Sequence, residues 1–277
     1  MDALAWCREK MLVPAQPLTA SLLFADPGVR DQILVTRTLG AELLALAEGS
    51  TEPALLAARL DWWQGALGGQ ADHPALMALA QTGVQRRVSG QDFLPLLDAV
   101  ARLGAQPRLE RFEEFQDLGR ATGGRIAELE FGICAQGKAE AAEQKALAIE
   151  LGAAGWILRR VRDVAADANR NCWLLPLDLQ AQFQISRQDV LDARGGPDWQ
   201  GLVQTLVARA LKSGDRAAVG LDPVHRHLII HWSVEKRLAA RLVRSPDDIL
   251  KRRLLPGHAG NVWAAWRAAR RLAKRAG

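Results

Sequence analysis

The sequence has no tyrosine, although its 277 residues include nine tryptophans and six phenylalanines. It has only three cysteines, Cys7, Cys134 and Cys172, an odd number at wide spacing. That count argues against a disulfide framework or a zinc ribbon and fits a reducing compartment. No apolar run approaches the roughly 20 residues of a membrane span. Charges at Asp2, Arg8, Glu9 and Lys10, with no long apolar segment behind them, argue against a signal peptide. The expected address is the cytoplasm. Neither a G-x-x-x-x-G-K-[ST] nor a G-x-G-x-x-G element occurs, so no nucleotide cradle is indicated. Alternating strands and Asn-Gly hairpin signals are missing as well.

What is present is helical. Hydrophobic residues make up 49% and charged residues 24%, ordinary values for a chain that buries a core. Ala, Leu, Arg, Gln and Glu dominate, and several windows repeat every 3.6 residues. The pattern predicts helices over residues 29–48, 53–67, 92–104, 139–168, 200–212 and 222–243. Asp92 is the expected N-cap of the third, with Pro95 in its first turn. Gly152 and Gly155 are candidate kinks in the long one. Leu228-Ile229-Ile230 is the only strand-like stretch, and its flanks favour helix. Breaks are expected at residues 68–72, 104–107, 176–186, 194–198, 213–223 and 255–260. The fold class is therefore all-α, with about ten helices.

Charge is unevenly distributed. Lys251, Arg252, Arg253, Arg267, Arg270, Arg271, Lys274 and Arg275 give residues 251–277 a charge of +8 with no acid. The whole chain carries +5, so the rest carries −3. The expected organisation is one domain over residues 1–250 and a basic amphipathic segment over 251–277. Trp263 and Trp266 among Arg267, Arg270, Arg271 and Lys274 suit contact with an anionic membrane surface. The plainer alternative packs Val262, Trp263 and Trp266 on the body. A nucleic-acid partner is not expected, because the body is acidic and no reading motif is visible.

The long helix carries an unusual stripe. Ala142, Ala146, Ile149, Ala153 and Trp156 share one face, and the same spacing continues to Arg160, Asp163 and Asp167. Asp163 and Asp167 stand at i and i+4, where like charges repel. A cation between them removes the repulsion, and Mg²⁺ is often held by one or two carboxylates with waters and phosphates. The competing reading is an aspartate pair that is solvated or paired with Arg159, Arg160, Arg162 and Arg170.

The stretch Arg162-Asp163-Val164-Ala165-Ala166-Asp167-Ala168-Asn169-Arg170, followed by Leu174-Leu175-Pro176, resembles the second aspartate-rich motif of the squalene/phytoene synthase family. Other segments agree in order. Arg30-Asp31 opens the helix of the first motif. Arg59-Leu60-Asp61-Trp62-Trp63 and His73-Pro74-Ala75-Leu76 match two further elements. Gly123-Gly124 falls where a family helix is kinked, and Ile185-Ser186 with Asp189 follows the proline loop. The resemblance implies a single isoprenoid-synthase-like bundle around a central cavity, in which two aspartate clusters hold Mg²⁺ and prenyl diphosphates. It assigns metal and catalytic roles to Asp163 and Asp167, and diphosphate contacts to Arg162, Arg170 and Arg30.

The departures are as informative. Where the first cluster belongs, the chain has Leu44-Ala45-Leu46-Ala47-Glu48, so only Glu48 can serve as a metal carboxylate. Trp156 and Arg159 replace a Gln and an Asn that face the family site. With Leu44 and Ala45 they alter the expected cavity. Asn171 and Leu174 replace a Gly and a Tyr. Arg37-Thr38-Leu39-Gly40-Ala41-Glu42-Leu43 resembles a divergent subgroup that includes the mitochondrial complex I assembly factor, which implies a respiratory-complex assembly partner and an inner-membrane periphery. Two readings follow: a binding or assembly protein with degenerate activity, or a working Mg-dependent head-to-head prenyltransferase on farnesyl or geranylgeranyl diphosphate. His225, His227 and His231 form an H-x-H-x₃-H cluster without a matched fourth ligand, better read as a polar helix surface than as a metal site. Cys172 has no paired base and reads as a half-buried thiol.

Overall fold

In the computed structural model residues 2–49, 52–84, 87–135 and 141–276 are described, apart from the side chains of residues 48, 49, 275 and 276. They form α1 (Ala3–Met11), α2 (Pro17–Ser21), α3 (Arg30–Gly49), α4 (Pro53–Leu67), α5 (Pro74–Gln81), α6 (Leu94–Gly104) and α7 (Phe112–Gly119). The chain continues as α8 (Arg125–Cys134), α9 (Ala142–Asn169), α10 (Leu177–Phe183), α11 (Arg187–Leu191), α12 (Pro197–Gly220), α13 (Arg226–Arg244) and α14 (His258–Ala276). No strand occurs among the described residues, so the all-α expectation holds.

Local chemistry sets most starts. Prolines at the first turn open α4, α5 and α12, where the missing N–H costs nothing. His73 caps α5 by accepting from the Ala75 N–H, and Ser186 with Asp189 makes a capping box on α11. The expected cap at Asp92 is displaced. Ser89 is the cap of a short 3₁₀ turn, Asp92 is its capping-box partner, and α6 follows from Leu94.

The expected break at residues 213–223 does not begin until Leu221, because α12 runs on to Gly220. Gly214 there is a packing residue, not a turn. A Cβ on it would lie 2.3 Å from the Trp232 ring. At the expected kinks, Gly152 and Gly155, α9 continues without a break in its helix. Its glycines allow close approach instead: a Cβ on Gly152 would meet the Gly123 carbonyl oxygen at 2.2 Å. Gly123 and Gly124 end the one π-helical turn described, Arg120–Gly124, which lets the chain lie directly on α9.

The core has two lobes. One gathers α1, α3, α5 and α6, with Ile33, Leu39, Leu43 and Phe93 fully buried. The other surrounds α9 and takes in α12 and α13, with Leu158, Leu202 and Trp232. Leu44 on α3 touches both. The basic C-terminal segment begins inside the fold: Leu254 is buried, and α14 packs Ala265, Ala268, Ala269 and Leu272 inward. Trp263 stays 56% exposed.

Candidate functional site

The facing helices α3, α8, α9 and α13 leave a cavity of about 290 Å³ between them, which residues of the 10–18 segment also line. Leu18, Leu44, Ile126, Leu151, Leu228 and Trp232 supply apolar wall. A smaller chamber of about 220 Å³ adjoins it through Gln16, Ala41, Leu44 and Arg159, which line both. The smaller chamber adds Ala45 and Trp156 and the cations Arg160, Arg162 and Arg253 around Asp163. Trp156 is in its wall, buried against Phe115 at 5.1 Å, with the Arg160 guanidinium 5.9 Å above the ring.

Asp163 and Asp167 do share one side of α9, as their spacing requires, and both are buried. Their charges are already answered. Asp163 accepts from Arg162 Nε at 2.8 Å and Nη2 at 2.5 Å, and from Arg253 Nε at 2.8 Å and Nη2 at 3.1 Å. Asp167 accepts from Arg170 Nη2 at 2.7 Å. Arg160 spans the pair, 3.3 Å from Asp167 and 3.9 Å from Asp163. Burial pushes the Asp163 carboxyl up, but Arg162 and Arg253 outweigh it and hold it below the usual aspartate range. For Asp167 burial prevails over Arg160 and Arg170, with Asp163 adding to it, and the carboxyl is raised.

A magnesium ion does not fit this donor set. Mg²⁺ needs oxygen ligands in octahedral geometry. Both carboxylates are taken by guanidinium groups, which also repel a dication. The facing positions on α3 are Leu44 and Ala45. The side chain of Glu48 lies outside the described residues. No group of three His, Cys, Asp or Glu that could hold a metal occurs among the described residues. Arg30 lies elsewhere in its contacts: it donates to the Leu23 and Ala25 carbonyls at 3.4 and 3.3 Å and fastens the turn before α3.

Arg37, two turns further along α3, lines the larger cavity. It belongs to a buried ring of hydrogen bonds. Arg37 Nε donates to Glu130 Oε2 at 2.6 Å, and Nη1 to His231 Nε2 at 3.1 Å. A guanidinium can only donate, so His231 carries its proton on Nδ1 and gives it to Ser21 Oγ at 3.0 Å. Ser21 Oγ also lies 3.1 Å from His227 Nε2 and 3.3 Å from the Leu18 carbonyl, both within reach of its one hydroxyl proton, and His227 Nδ1 closes the ring on Glu130 Oε1 at 2.5 Å. Burial would raise Glu130, yet Arg37 and His227 hold it at about 2. Burial, with Arg37, His227 and Arg159 nearby, pulls His231 well below the ordinary histidine value. Glu235 extends the polar strip to the far wall: it lies 3.7 Å from His231 and takes an ion pair from Arg159.

The three histidines are thus buried, not a polar helix surface. Their i and i+4 members meet a serine and a glutamate rather than a metal. Glu130, Ser21 and Glu235 carried no sequence signal, because none belongs to a motif and their partners lie on other helices or, for His231, a turn away in a cluster read as polar surface. The Trp62, Trp63 and His73 segment is structural: His73 lies 4.7 Å from Trp63 and 5.5 Å from Trp6, tying α1, α4 and α5. Cys172 is half-buried and lines the smaller chamber.

The squalene/phytoene synthase family profile matches residues 16–258. The chain belongs to that family. A phytoene synthase of Arthrospira platensis is 34% identical over 87 residues, a stretch that spans 31% of this chain and only 28% of that relative. Among solved structures, the squalene synthase HpnC from Alicyclobacillus acidocaldarius superposes with a TM-score of 0.70 at 20% identity, over 88% of this chain and 94% of that one. A dehydrosqualene synthase in complex with ligand gives 0.76 at 12% identity, over 98% and 97%. YisP from Bacillus subtilis strain 168 gives 0.70 at 11% identity, over 95% of both. At these identities the superpositions establish the squalene/phytoene synthase fold and nothing finer.

Proposed function

We propose that this squalene/phytoene synthase family chain is a binding protein for one isoprenoid amphiphile with a diphosphate-type head, held without magnesium and without ionisation of the prenyl chain. The observation that carries the reading is the guanidinium cluster at the second aspartate motif. Arg160, Arg162, Arg170 and Arg253 surround Asp163 and Asp167, leaving an excess of two positive charges. Guanidinium forks match phosphate oxygens bidentately, so they can take a head group directly. The adjoining apolar cavity is placed to receive its chain.

Two features oppose ionisation. Metal charge on the departing diphosphate is worth several kcal/mol, and the donor set does not fit a metal. A prenyl cation also needs a dry apolar surround. Here its neighbours would be the cations Arg37 and Arg159, and the histidine and carboxylate of His231 and Glu235.

Incubating the full chain with farnesyl or geranylgeranyl diphosphate tests this, with Mg²⁺ and NADPH in one arm and EDTA in the other. Binding of equal strength in both arms, with no diphosphate released, is expected. Mg-dependent release that disappears in Asp163→Ala overturns the non-catalytic reading and establishes the transferase. Failure of both diphosphates to bind overturns the binding reading.

A further inference from the structure

We infer that the larger cavity is built for an isoprenoid chain that carries a neutral oxygen, a hydroxyl, ether or carbonyl, and not for a plain hydrocarbon. The inference rests on the binding reading above for the identity of the site, and it assigns the chemistry of the chain within it.

The starting point is charge balance along the polar strip. Arg37 is matched by Glu130 and Arg159 by Glu235, while burial keeps His231 neutral. Each guanidinium of the strip is therefore matched by a carboxylate of its own, unlike those of the cluster beside it. A buried anion placed against it would have no partner, and an uncompensated buried charge is costly. A neutral group carries no such penalty.

Hydrogen-bond capacity sets the second condition. The ring uses Nε and Nη1 of Arg37, and Glu235 uses Nη1 of Arg159. A guanidinium has five N–H donors, so both arginines, which line the wall, keep donors beyond those these bonds use. His231 has both ring nitrogens engaged, with Arg37 and Ser21. The strip thus offers donors and asks for an acceptor. A hydrocarbon laid along Leu228 and Trp232 would cover these guanidinium N–H groups and leave them unsatisfied, which is costly, the more so for a charged group. An ether or hydroxyl oxygen answers them.

The ring holds the strip in place. The donor directions at Arg37 are fixed, because its guanidinium can only donate, to Glu130 on one side and to His231 on the other. The Arg37 guanidinium is therefore held from two sides, and its unused N–H groups have a fixed aim.

Equilibrium binding of three uncharged probes with one farnesyl chain tests the inference on the full protein: farnesyl methyl ether, farnesol and farnesene. The ether, which accepts but cannot donate, and the alcohol are expected to bind about tenfold tighter than the hydrocarbon. A preference under about threefold overturns the inference. In Arg37→Gln with Glu130→Gln, which removes both charges together, the ether-to-hydrocarbon ratio should fall towards one, and an unchanged ratio also overturns it. Should that pair fail to fold, Arg159→Gln with Glu235→Gln reads the same ratio. None of these probes contains phosphate. Loss of farnesyl diphosphate binding with the ratio intact fails the head-group reading alone, and a ratio of one with diphosphate binding intact fails this inference alone.

Discussion

Arg253 clamps Asp163 through two N–H groups, at 2.8 and 3.1 Å, across 90 residues of sequence. The clamp joins the C-terminal basic segment to the motif on α9 and completes the guanidinium cluster around it. It also puts one side chain of that cluster within reach of solvent, because the Arg253 side chain is 57% exposed.

Replacing Arg253 by Gln should therefore weaken head-group binding more than it weakens the fold. The pair is exposed only at its Arg253 end, but Asp163 keeps both hydrogen bonds from Arg162, so the loss in stability is expected to stay near that of a surface pair, about 0–1 kcal/mol. A lost bidentate contact to phosphate, with one charge fewer, is expected to lower affinity for farnesyl diphosphate about tenfold. Calorimetric titration beside a thermal melt separates the two. A large drop in Tm with unchanged affinity would place Arg253 in the scaffold instead.

The Glu130 ring predicts an acid limb in stability. The Glu130 carboxyl sits at about 2 in the fold against an ordinary 4.5. A depressed carboxyl contributes stability that is complete above 4.5 and is lost as pH falls towards 2, about 3 kcal/mol in all. His231 acts in the same direction, since its lowered value means the unfolded chain takes up the proton first as pH drops below the ordinary histidine range. Urea midpoints should fall steadily from neutral to acid pH. Glu130→Gln should be less stable at pH 7 and flatter between pH 4.5 and 2. A variant with the same acid slope would remove Glu130 as its source.

Gly152→Ala should destabilise, although alanine is the better helix former. In an open helix the change stabilises by about 0.4–1 kcal/mol. Here the new Cβ meets the Gly123 carbonyl at 2.2 Å and the Ala127 side chain at 2.7 Å, and the backbone there has no rotamer to yield. A loss of about 1–3 kcal/mol is expected, read as a lowered urea midpoint. A midpoint at or above the parent value would mean that the π-turn shifts freely on α9.

These cases mark what the sequence made legible. Local periodicity with a proline start located α4 over 53–67 to the residue, and the Asp163 and Asp167 spacing placed both on one face. Gly214 misled, because a glycine in a polar stretch reads as a turn until Trp232 is known to lie against it. Gly152 misled as a kink candidate, because nothing in its own helix shows that the Gly123 backbone lies against it. The polar strip was out of reach for another reason. Glu130 and Ser21 become partners only once α8 and α2 are brought to α13, and their nearest sequence separation from His227 is 97 residues. His227 and His231 showed the right helical spacing, but spacing alone cannot tell a metal from a buried carboxylate.

The exposed face of α14 is expected to bind anionic lipid. Trp263 and Trp266 stack at 4.7 Å, and the Arg270 guanidinium lies 4.9 Å over Trp266. Arg267, Arg271 and Lys274 are exposed along the same helix, whose buried side is alanine and leucine. The start of α14 also holds the cavity rim: Asn261 donates to the Ala15 carbonyl at 3.0 Å, next to Gln16 in the wall of both chambers. A lipid-bound α14 would bring that rim near the phase from which a prenyl lipid comes. Basic residues at an anionic surface are worth about 1 kcal/mol each. Changing Arg267, Arg270, Arg271 and Lys274 to Ser keeps the buried side of α14 intact and should lower sedimentation with phosphatidylserine vesicles by at least tenfold at low salt, with no change towards uncharged vesicles. Raising the salt should do the same to the parent protein, through screening. Equal sedimentation of parent and variant, or none by either, removes the membrane contact and leaves α14 as a packing element with a solvated face.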